Sequence, residues 1–209
     1  MKCWNCQAET HGAAFCPACG KIGARSPEST HFDVFGLPPS FDLDLGEVER
    51  RYHELSLKLH PDRFAQADPR ERRLSLEQTS ALNEAWRTLR DPISRALYLL
   101  RLHGVLLEDE HGMERLEMPQ DFLMEILDLR EALEGLRAKK DLDGALEMAE
   151  DVRRREKASL DEAADALRAL EKNPGDEASK MKAAVALGRM RYFTRFLQEV
   201  EAIEEEALA

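Results

Sequence analysis

Four cysteines within the first nineteen residues constrain the fold of this chain more than any other feature of its sequence. They form two pairs with the spacing Cys-x-x-Cys, and nine residues separate the pairs. Each pair can grip one side of a tetrahedral ion, and a site of four thiolates suits structural Zn²⁺ because it leaves no position for water. A segment this short has too few apolar residues to fold without such a cross-link. We therefore predict one structural zinc ion with the ligands Cys3, Cys6, Cys16 and Cys19.

Three other roles for the cysteines are open alternatives. Two disulfides would suit an exported protein, but nothing else in the sequence suggests export. A redox-active pair usually lies in a thioredoxin-like βαβ pattern, which surrounds neither pair here. The third alternative is an iron site of the rubredoxin type or a bound iron–sulfur cluster. Gly20 follows Cys19 directly and permits the left-handed turn that a metal-binding loop often needs.

The charge of the 209-residue chain is concentrated in its C-terminal half. Residues 105–209 carry 16 basic and 27 acidic side chains, a difference equal to the net charge of −11 of the whole chain. Phosphate backbones would repel such a surface, so we expect no nucleic acid partner. A solvated helix surface explains this charge, and a basic protein partner would also fit it.

We expect no membrane partner for this chain. The longest apolar run, at about residues 96–102, is interrupted by Arg101 and is far shorter than the ~20 residues that span a bilayer. The first residues also lack the basic and apolar regions of a secretory signal. The expected location is the cytoplasm, or the mitochondrial matrix if the chain is a processed mature form.

Beyond the cysteine segment, the spacing of apolar residues predicts helices. Asp44 and Glu47 have the spacing of a capping box, and the apolar residues that follow lie on one helical face. This helix must end near Leu59, because Pro61 disfavours helical geometry in the residue before it.

Five further helical segments can be placed from the same kind of pattern. A long helix is predicted at about residues 69–89, and another begins at Asp91-Pro92. Later helices are predicted at about 119–138, 141–171 and 177–206, with a tight turn at residues 173–176. Such short connections favour an antiparallel bundle. The predicted fold class is all-α.

The tripeptide His60-Pro61-Asp62 lies between the first two long helices. In this setting it resembles the His-Pro-Asp loop of the J-domain in the DnaJ superfamily. Residues 31–37 (HFDVFGL) are similar to the family's first helix, and residues 82–92 (LNEAWRTLRDP) to the end of its third. The resemblance implies that the loop docks on the nucleotide-binding domain of a DnaK-class chaperone and promotes ATP hydrolysis there.

The chemistry of the loop is compatible with docking. Pro61 fixes its own φ and so limits the orientations of His60 and Asp62. The Asp62 carboxylate can then form a charge-assisted hydrogen bond to an arginine of a partner. A plain interhelical turn is the alternative interpretation.

The resemblance also implies a basic docking face. The chaperone-binding residues that it indicates are His60, Pro61, Asp62, Arg50, Arg51, Lys58 and Arg63. General J-domains carry basic residues where this chain has His53 and Glu54, which favours a specialised chaperone partner.

Three stretches narrow the resemblance to the HscB family, the J-proteins of iron–sulfur cluster assembly. They are residues 59–64 (LHPDRF), 91–100 (DPISRALYLL) and 122–131 (FLMEILDLRE). The resemblance covers about residues 31–206, and mitochondrial and some bacterial members carry a similar cysteine module at the front. It implies an L-shaped protein with a zinc module and linker at 1–29, a J-domain at 30–104 and a C-terminal three-helix bundle at 105–209.

In that family the bundle binds the cluster scaffold IscU through an apolar patch with an acidic rim. The matching positions are Leu123, Met124, Leu127 and Tyr192 for the patch, and Glu125, Asp128 and Glu131 for the rim. Bundle core is the alternative for apolar residues at helical spacing. We predict that Phe122 and Ile126 are core, with Leu129 and Leu133 as further core positions. Met124 and Leu127 are then free to face outward.

The function that the resemblance implies is that of a non-enzymatic co-chaperone. It would deliver an IscU-type scaffold to a DnaK/HscA-class chaperone and stimulate the ATPase of that chaperone. A general J-domain protein that binds unfolded polypeptides through a broad apolar groove is the alternative. The sequence has no Gly-x-x-x-x-Gly-Lys-Ser/Thr loop, so we expect no nucleotide hydrolysis by the chain itself. Whether the zinc module mediates self-association is open at this point.

Overall fold

The computed structural model describes residues 1–10, 12–107 and 116–208. The chain divides into two compact units, Met1–Arg95 and Ala96–Ala209. The helices are α1 (His31–Val34), α2 (Leu45–Leu59), α3 (Pro69–Arg90), α4 (Pro92–Leu102), α5 (Gln120–Lys139), α6 (Leu142–Lys172) and α7 (Glu177–Leu208). The predicted all-α class is confirmed, and the predicted helices agree with the observed bounds to within about two residues. Within the described ranges, no helix is both long enough and apolar enough to span a bilayer.

A side-chain cap fixes the start of α2. The Asp44 carboxylate accepts a hydrogen bond from the backbone N–H of Glu47 at 3.1 Å, which confirms Asp44 as the predicted N-cap. The Glu47 carboxylate does not complete the capping box. It binds the guanidinium groups of Arg50 and Arg51 instead, and so contributes to the surface of α2.

Helices α2 and α3 of the first unit run antiparallel. The Tyr52 ring stacks on Trp86 with centroids 5.2 Å apart, and near the other end of α2 the Ser75 hydroxyl donates to the Leu59 carbonyl at 2.6 Å. Residues later in α2 therefore contact residues earlier in α3, as expected for antiparallel helices. Large side chains from three helices are fully buried between them: Phe32, Val48, Leu59, Leu82 and Leu89. Burial of each such side chain stabilises the fold by roughly 1.5–3 kcal/mol.

In the second unit, α6 and α7 form a long antiparallel hairpin. The predicted tight turn lies between them, where the Asp176 N–H donates to the Asn173 carbonyl at 3.1 Å. The Asp176 carboxylate then caps α7, since it accepts hydrogen bonds from the hydroxyl and the backbone N–H of Ser179, and these bonds lower the pKa of Asp176. Further along, Arg189 of α7 pairs with Glu162 of α6 at 3.0 Å.

Helix α5 completes the predicted three-helix bundle. The core of the bundle contains Phe122, Ile126 and Leu133 from α5, Ala145, Ala149 and Val152 from α6, and Phe193, Phe196, Val200 and Ile203 from α7. Ion pairs between α5 and α7, such as Arg130–Glu199 at 3.1 Å, lie at the edge of this core. The small residues of α6 leave room for the aromatic rings of α7.

Candidate functional sites

Each Cys-x-x-Cys pair lies in a tight loop closed by a backbone hydrogen bond. The N–H of Gln7 donates to the carbonyl of Cys3 at 3.0 Å, and the N–H of Gly20 donates to the carbonyl of Cys16 at 2.9 Å. Both donors have left-handed backbone geometry, with φ of 62° at Gln7 and 71° at Gly20. The left-handed turn predicted at Gly20 is confirmed, and the first loop makes the same turn with a residue other than glycine.

The two loops bring all four sulfurs together. The four Sγ atoms lie within 4.8 Å of one another, with Cys3–Cys19 at 3.7 Å and Cys6–Cys16 at 3.6 Å. A tetrahedral Zn²⁺ with Zn–S bonds of ~2.3 Å holds its sulfurs about 3.8 Å apart. The cluster therefore fits a four-coordinate ion. The distances are much longer than a disulfide bond of ~2.05 Å, and all four cysteines are free.

The electrostatics of the cluster also suit a cation. The backbone N–H of Lys21 lowers the pKa of Cys19 to about 6, and the N–H of Cys6 lowers the pKa of Cys3. At Cys6 the N–H of Ala8 lowers the pKa, but the neighbouring sulfurs outweigh it and raise the pKa to about 12. Amide donors thus favour thiolates, while four thiolates at this distance repel one another. A bound cation would remove that repulsion.

The cysteine module packs on α3, a contact that the sequence analysis missed. The Lys21 ammonium pairs with the Glu71 carboxylate at 2.7 Å, and Glu71 is only 6% exposed. The Gln78 side-chain amide donates to the Gly23 carbonyl at 2.9 Å. Glu71 and Gln78 are seven residues apart on the buried face of α3. Two polar residues among the apolar residues of this face were the sequence signal that could have indicated the contact. The module belongs to the same compact unit as α1, α2 and α3.

The His-Pro-Asp tripeptide is presented to solvent directly after α2. Residues Pro61–Phe64 form a 3-10 turn, and the Asp62 N–H donates to His60 Nδ1 at 3.3 Å. A carboxylate oxygen of Asp62 lies 3.6 Å from the same Nδ1. The Asp62 side chain is 91% exposed and the His60 side chain 54%. Both side chains are therefore accessible to a partner protein.

Two hydroxyl groups of α3 hold the residue before the loop. The carbonyl of Leu59, which lies at the end of α2, accepts hydrogen bonds from Ser75 Oγ at 2.6 Å and from Thr79 Oγ1 at 3.1 Å. Carbonyls at a helix end need partners from outside the helix. These two residues supply them, so α3 fixes the position from which the loop starts.

The predicted basic face divides into two groups. Arg50 and Arg51 each bind Glu47 at 2.7 Å, and these contacts lower the pKa of Glu47 to about 2. Lys58 and Arg63 form no salt bridge within the part of the chain that the structure describes. Within the described ranges, the charges nearest the His-Pro-Asp loop are thus the ones that form no salt bridge.

Helix α5 has a buried face and an exposed apolar face. The predicted core residues are buried, with exposures of 5% for Phe122, 3% for Ile126 and 1% for Leu133, and Leu129 packs against them. The opposite face carries Leu123, Met124 and Leu127, with exposures of 36%, 55% and 58%. The predicted division of α5 into core and outward residues is therefore confirmed. Binding by the outward residues stays a prediction.

The remaining patch and rim residues are distributed unevenly. Tyr192 is half-buried, and its ring meets the Phe122 ring edge-on with centroids 5.5 Å apart. The Glu125 carboxylate pairs with Arg155 of α6. Asp128 and Glu131 are exposed on α5 beside the apolar residues. The outer face of α5 therefore combines apolar and acidic groups, while Tyr192 and Glu125 also make contacts inside the bundle.

Two protein-family models match this chain, one in its N-terminal half and one in its C-terminal half. The family model of the DnaJ domain matches residues 30–98, and that of the HSCB C-terminal oligomerisation domain matches residues 118–201. The helical fold, the exposed His-Pro-Asp loop and these matches define a J-domain protein with a C-terminal helical bundle.

Individual relatives narrow this class to a family. A co-chaperone protein HscB homolog of Aliivibrio fischeri (strain MJ11) is 36% identical over 179 residues, which are 85% of this chain and 98% of the relative. A homolog of the same description from Ralstonia nicotianae is 43% identical over 118 residues, 56% of this chain and 65% of the relative. The chain belongs to the HscB family of J-domain co-chaperones, the family of iron–sulfur cluster assembly.

Solved structures of this family superimpose well on the chain. The crystal structure of human co-chaperone protein HscB matches with a TM-score of 0.78 and 27% identity, and the match covers 98% of both chains. Chaperone HscB from Vibrio cholerae matches with a TM-score of 0.67 and 28% identity over 85% of this chain and 99% of the other. The match to the human protein covers enough of the chain to reach into the cysteine module.

Proposed function

We propose that this chain delivers an IscU-type scaffold protein to a DnaK/HscA-class chaperone and stimulates the ATPase of that chaperone. The observation that carries the proposal is the His-Pro-Asp loop, which is exposed at its tip and anchored at its base. His60 and Asp62 face solvent, while Leu59 is held by two hydroxyl groups of α3. A fixed starting point limits the positions of the two exposed side chains, which lowers the entropy cost of docking on a partner.

The exposed charges support an arginine-bearing or otherwise polar site on the chaperone as the target. An exposed carboxylate such as that of Asp62 can accept a charge-assisted hydrogen bond from a guanidinium group. The imidazole of His60 is exposed on the same loop. In this proposal Lys58 and Arg63 contact the chaperone beside the loop, and Arg50 and Arg51 extend the basic face after rearranging their pairing with Glu47.

The outer face of α5 supports the scaffold as the second partner. Leu123, Met124 and Leu127 together expose apolar surface that contributes nothing to the bundle core. Contiguous exposed apolar residues with a polar rim are typical of protein-binding sites. In this proposal Glu125, Asp128 and Glu131 provide that rim, and Tyr192 belongs to the apolar patch. Three side chains on the convex surface of one helix form a small patch, which suits a folded partner. An unfolded polypeptide would need a broad groove instead.

We further propose that the cysteine cluster holds one structural zinc ion. The spacing of the sulfurs matches a tetrahedral site, and four thiolates leave no open coordination position. Elemental analysis of the purified chain should give one zinc per chain, and Cys16→Ser should lower this value to near zero. Iron in that analysis, or the absorption of an iron–sulfur cluster, would contradict the assignment. The cytoplasm is the location in which we expect this function.

Substitution of the loop histidine tests the proposed function. His60→Gln should abolish stimulation of the chaperone ATPase, because it removes the imidazole that faces the partner while keeping a side chain of similar size. The fold and the affinity for the scaffold should not change. The assay is the steady-state ATP hydrolysis of a DnaK-class chaperone at increasing concentrations of the co-chaperone.

His53→Gln is a matched control, since His53 is an exposed histidine of α2 that lies outside the tripeptide. It should retain most of the stimulation. If His60→Gln stimulates normally, the proposed function is wrong. If it loses stability together with stimulation, the tripeptide is a structural turn.

A further inference from the structure

We propose that the four-cysteine module is part of the chaperone-docking surface and that Phe15 contacts an acidic segment of the chaperone. This inference deepens the proposed function and rests on it. The observation behind it is a groove between the second cysteine loop and the end of α2, with a volume of about 400 Å³. Its lining residues are Phe15, Gly20, Lys58, Arg63 and Phe64.

Two residues that line the groove lie on either side of the His-Pro-Asp tripeptide in the sequence. Lys58 lies two residues before His60, and Arg63 follows Asp62 directly. A protein that contacts the exposed His60 and Asp62 side chains therefore reaches Lys58 and Arg63 as well. The opposite wall of the groove consists of Phe15 and Gly20, which belong to the cysteine module, so a partner that fills the groove touches the module.

The position of the module wall is fixed by contacts within the same compact unit. Directly after Gly20, Lys21 pairs with the buried Glu71 at 2.7 Å, and Gly23 accepts the hydrogen bond from Gln78 at 2.9 Å. Between them, the carbonyl of Ile22 accepts a hydrogen bond from the Trp4 indole at 2.8 Å, and Ile22 is fully buried. The groove is thus a feature of the fold and not a chance approach of a loose segment.

The chemistry of the groove selects the kind of partner. Lys58 and Arg63 are exposed and have no carboxylate partner in the described ranges of the chain, whereas Phe15 and Phe64 offer half-buried aromatic surface. Two cations without a salt-bridge partner, which line the groove together with two aromatic side chains, complement a segment with acidic side chains around an apolar one. The IscU-type scaffold is assigned to α5 in the other unit, which leaves the chaperone as the partner at this groove.

Substitutions of Phe15 in the whole metal-loaded chain test the inference. Phe15→Ala should raise the concentration that gives half-maximal ATPase stimulation by about five- to tenfold, the loss typical of one aromatic interface anchor. The maximal stimulation should not change, because the His-Pro-Asp loop is intact. Phe15→Glu should have a larger effect, since its carboxylate would compete with the chaperone for Lys58 and Arg63.

Glu9→Gln is the matched control in the same module. Glu9 is exposed just after the first cysteine loop, where it pairs with the N-terminal amino group at 3.5 Å, and it does not line the groove. This variant should stimulate like the unmodified chain. Normal half-maximal concentrations for both Phe15 variants, with one metal ion bound per chain, would overturn the inference while leaving the proposed function intact. Failure of His60→Gln to reduce stimulation would instead overturn the proposed function.

Hydrogen exchange gives a second measurement that needs no substitution. Saturating chaperone should slow the exchange of backbone amides at residues 13–20 together with those at residues 57–64, and it should leave residues 2–8 unchanged. Protection at 57–64 without protection at 13–20 would show that the module lies outside the interface. Protection of 13–20 by the scaffold alone, or by raising the concentration of the chain alone, would assign the groove to a different partner and overturn the inference.

Discussion

At the scale of single residues, the two cysteine loops make the same turn with different residues. Gln7 and Gly20 both have a positive φ, and an added Cβ at Gly20 would meet no atom within 4 Å. At Gly20, any difference between glycine and alanine therefore comes from the backbone itself. Left-handed geometry costs a residue with a Cβ roughly 1–2 kcal/mol.

Gln7→Gly should consequently strengthen metal binding. Part of the gain is offset by the greater freedom of glycine in the unfolded chain, so we expect a net effect of ~1 kcal/mol, about fivefold in affinity. Competition with a chromophoric zinc chelator measures this directly. Gly20→Ala is the control and should change the affinity in the opposite direction. Weaker binding by Gln7→Gly would mean that the Gln7 side chain itself stabilises the loop.

Some residues were predictable from the sequence and others were not. The cysteines and the His-Pro-Asp tripeptide are recognisable because their chemistry depends on residue type and close spacing. Ser75 and Thr79 carry no such signal, since their role depends on the carbonyl of Leu59, sixteen and twenty residues away. The role of a hydroxyl group on the inner face of a helix can be predicted only when its hydrogen-bond acceptor is known.

At the scale of the elements, helix boundaries were the most predictable feature of the fold. Asp44, Pro61 and the turn at residues 173–176 act locally, and each one ends or starts a helix where the sequence places it. The capping box that starts α1 was missed. It consists of Thr30 and Asp33, which have the same spacing but no long apolar pattern after them.

The two faces of α5 should respond differently to truncation. Phe122→Ala should lower the free energy of unfolding of the bundle by ~3–5 kcal/mol, because it opens a cavity in a core that is otherwise filled. Met124→Ala and Leu127→Ala should each change it by less than about 1 kcal/mol, since more than half of either side chain is already exposed. Denaturant midpoints followed by far-ultraviolet circular dichroism provide the comparison.

Leu127→Ala is the more informative of the two exposed variants, because Leu127 has the larger exposed fraction. A large loss of stability in this variant, without any partner present, would place Leu127 in the packing of the bundle. The proposed scaffold patch would then lose one of its residues, while the J-domain assignment would stand.

At the scale of the whole molecule, the sequence suggested three segments and the structure has two compact units. The cysteine module and helices α1 to α3 lie in one unit, joined by pairs such as Lys21–Glu71 that are fifty residues apart in sequence. Composition shows where a segment changes character, but it does not show which segments pack together. The domain boundaries at 29 and 104 stay predictions, because compact units and domains need not coincide.

The proposed function requires that two partners bind to separate surfaces of the chain. The triple variant Leu123→Ala, Met124→Ala, Leu127→Ala should lower the affinity for the scaffold by two or more decades, since interface anchors each contribute ~1–2 kcal/mol. Stimulation of the chaperone ATPase without scaffold should not change, because these residues lie outside the unit that carries the loop. Tyr192 is kept in this variant because its ring packs against Phe122.

The two-partner assay should separate the triple variant from His60→Gln. With the unmodified chain, scaffold bound to the bundle is held near the chaperone at an effective concentration that free scaffold reaches only in the millimolar range. The triple variant should therefore need far more scaffold for the same chaperone–scaffold complex, although it still stimulates hydrolysis. His60→Gln should bind scaffold normally and yet fail to stimulate. If the triple variant forms the chaperone–scaffold complex at the same scaffold concentration as the unmodified chain, the outer face of α5 does not bind the scaffold.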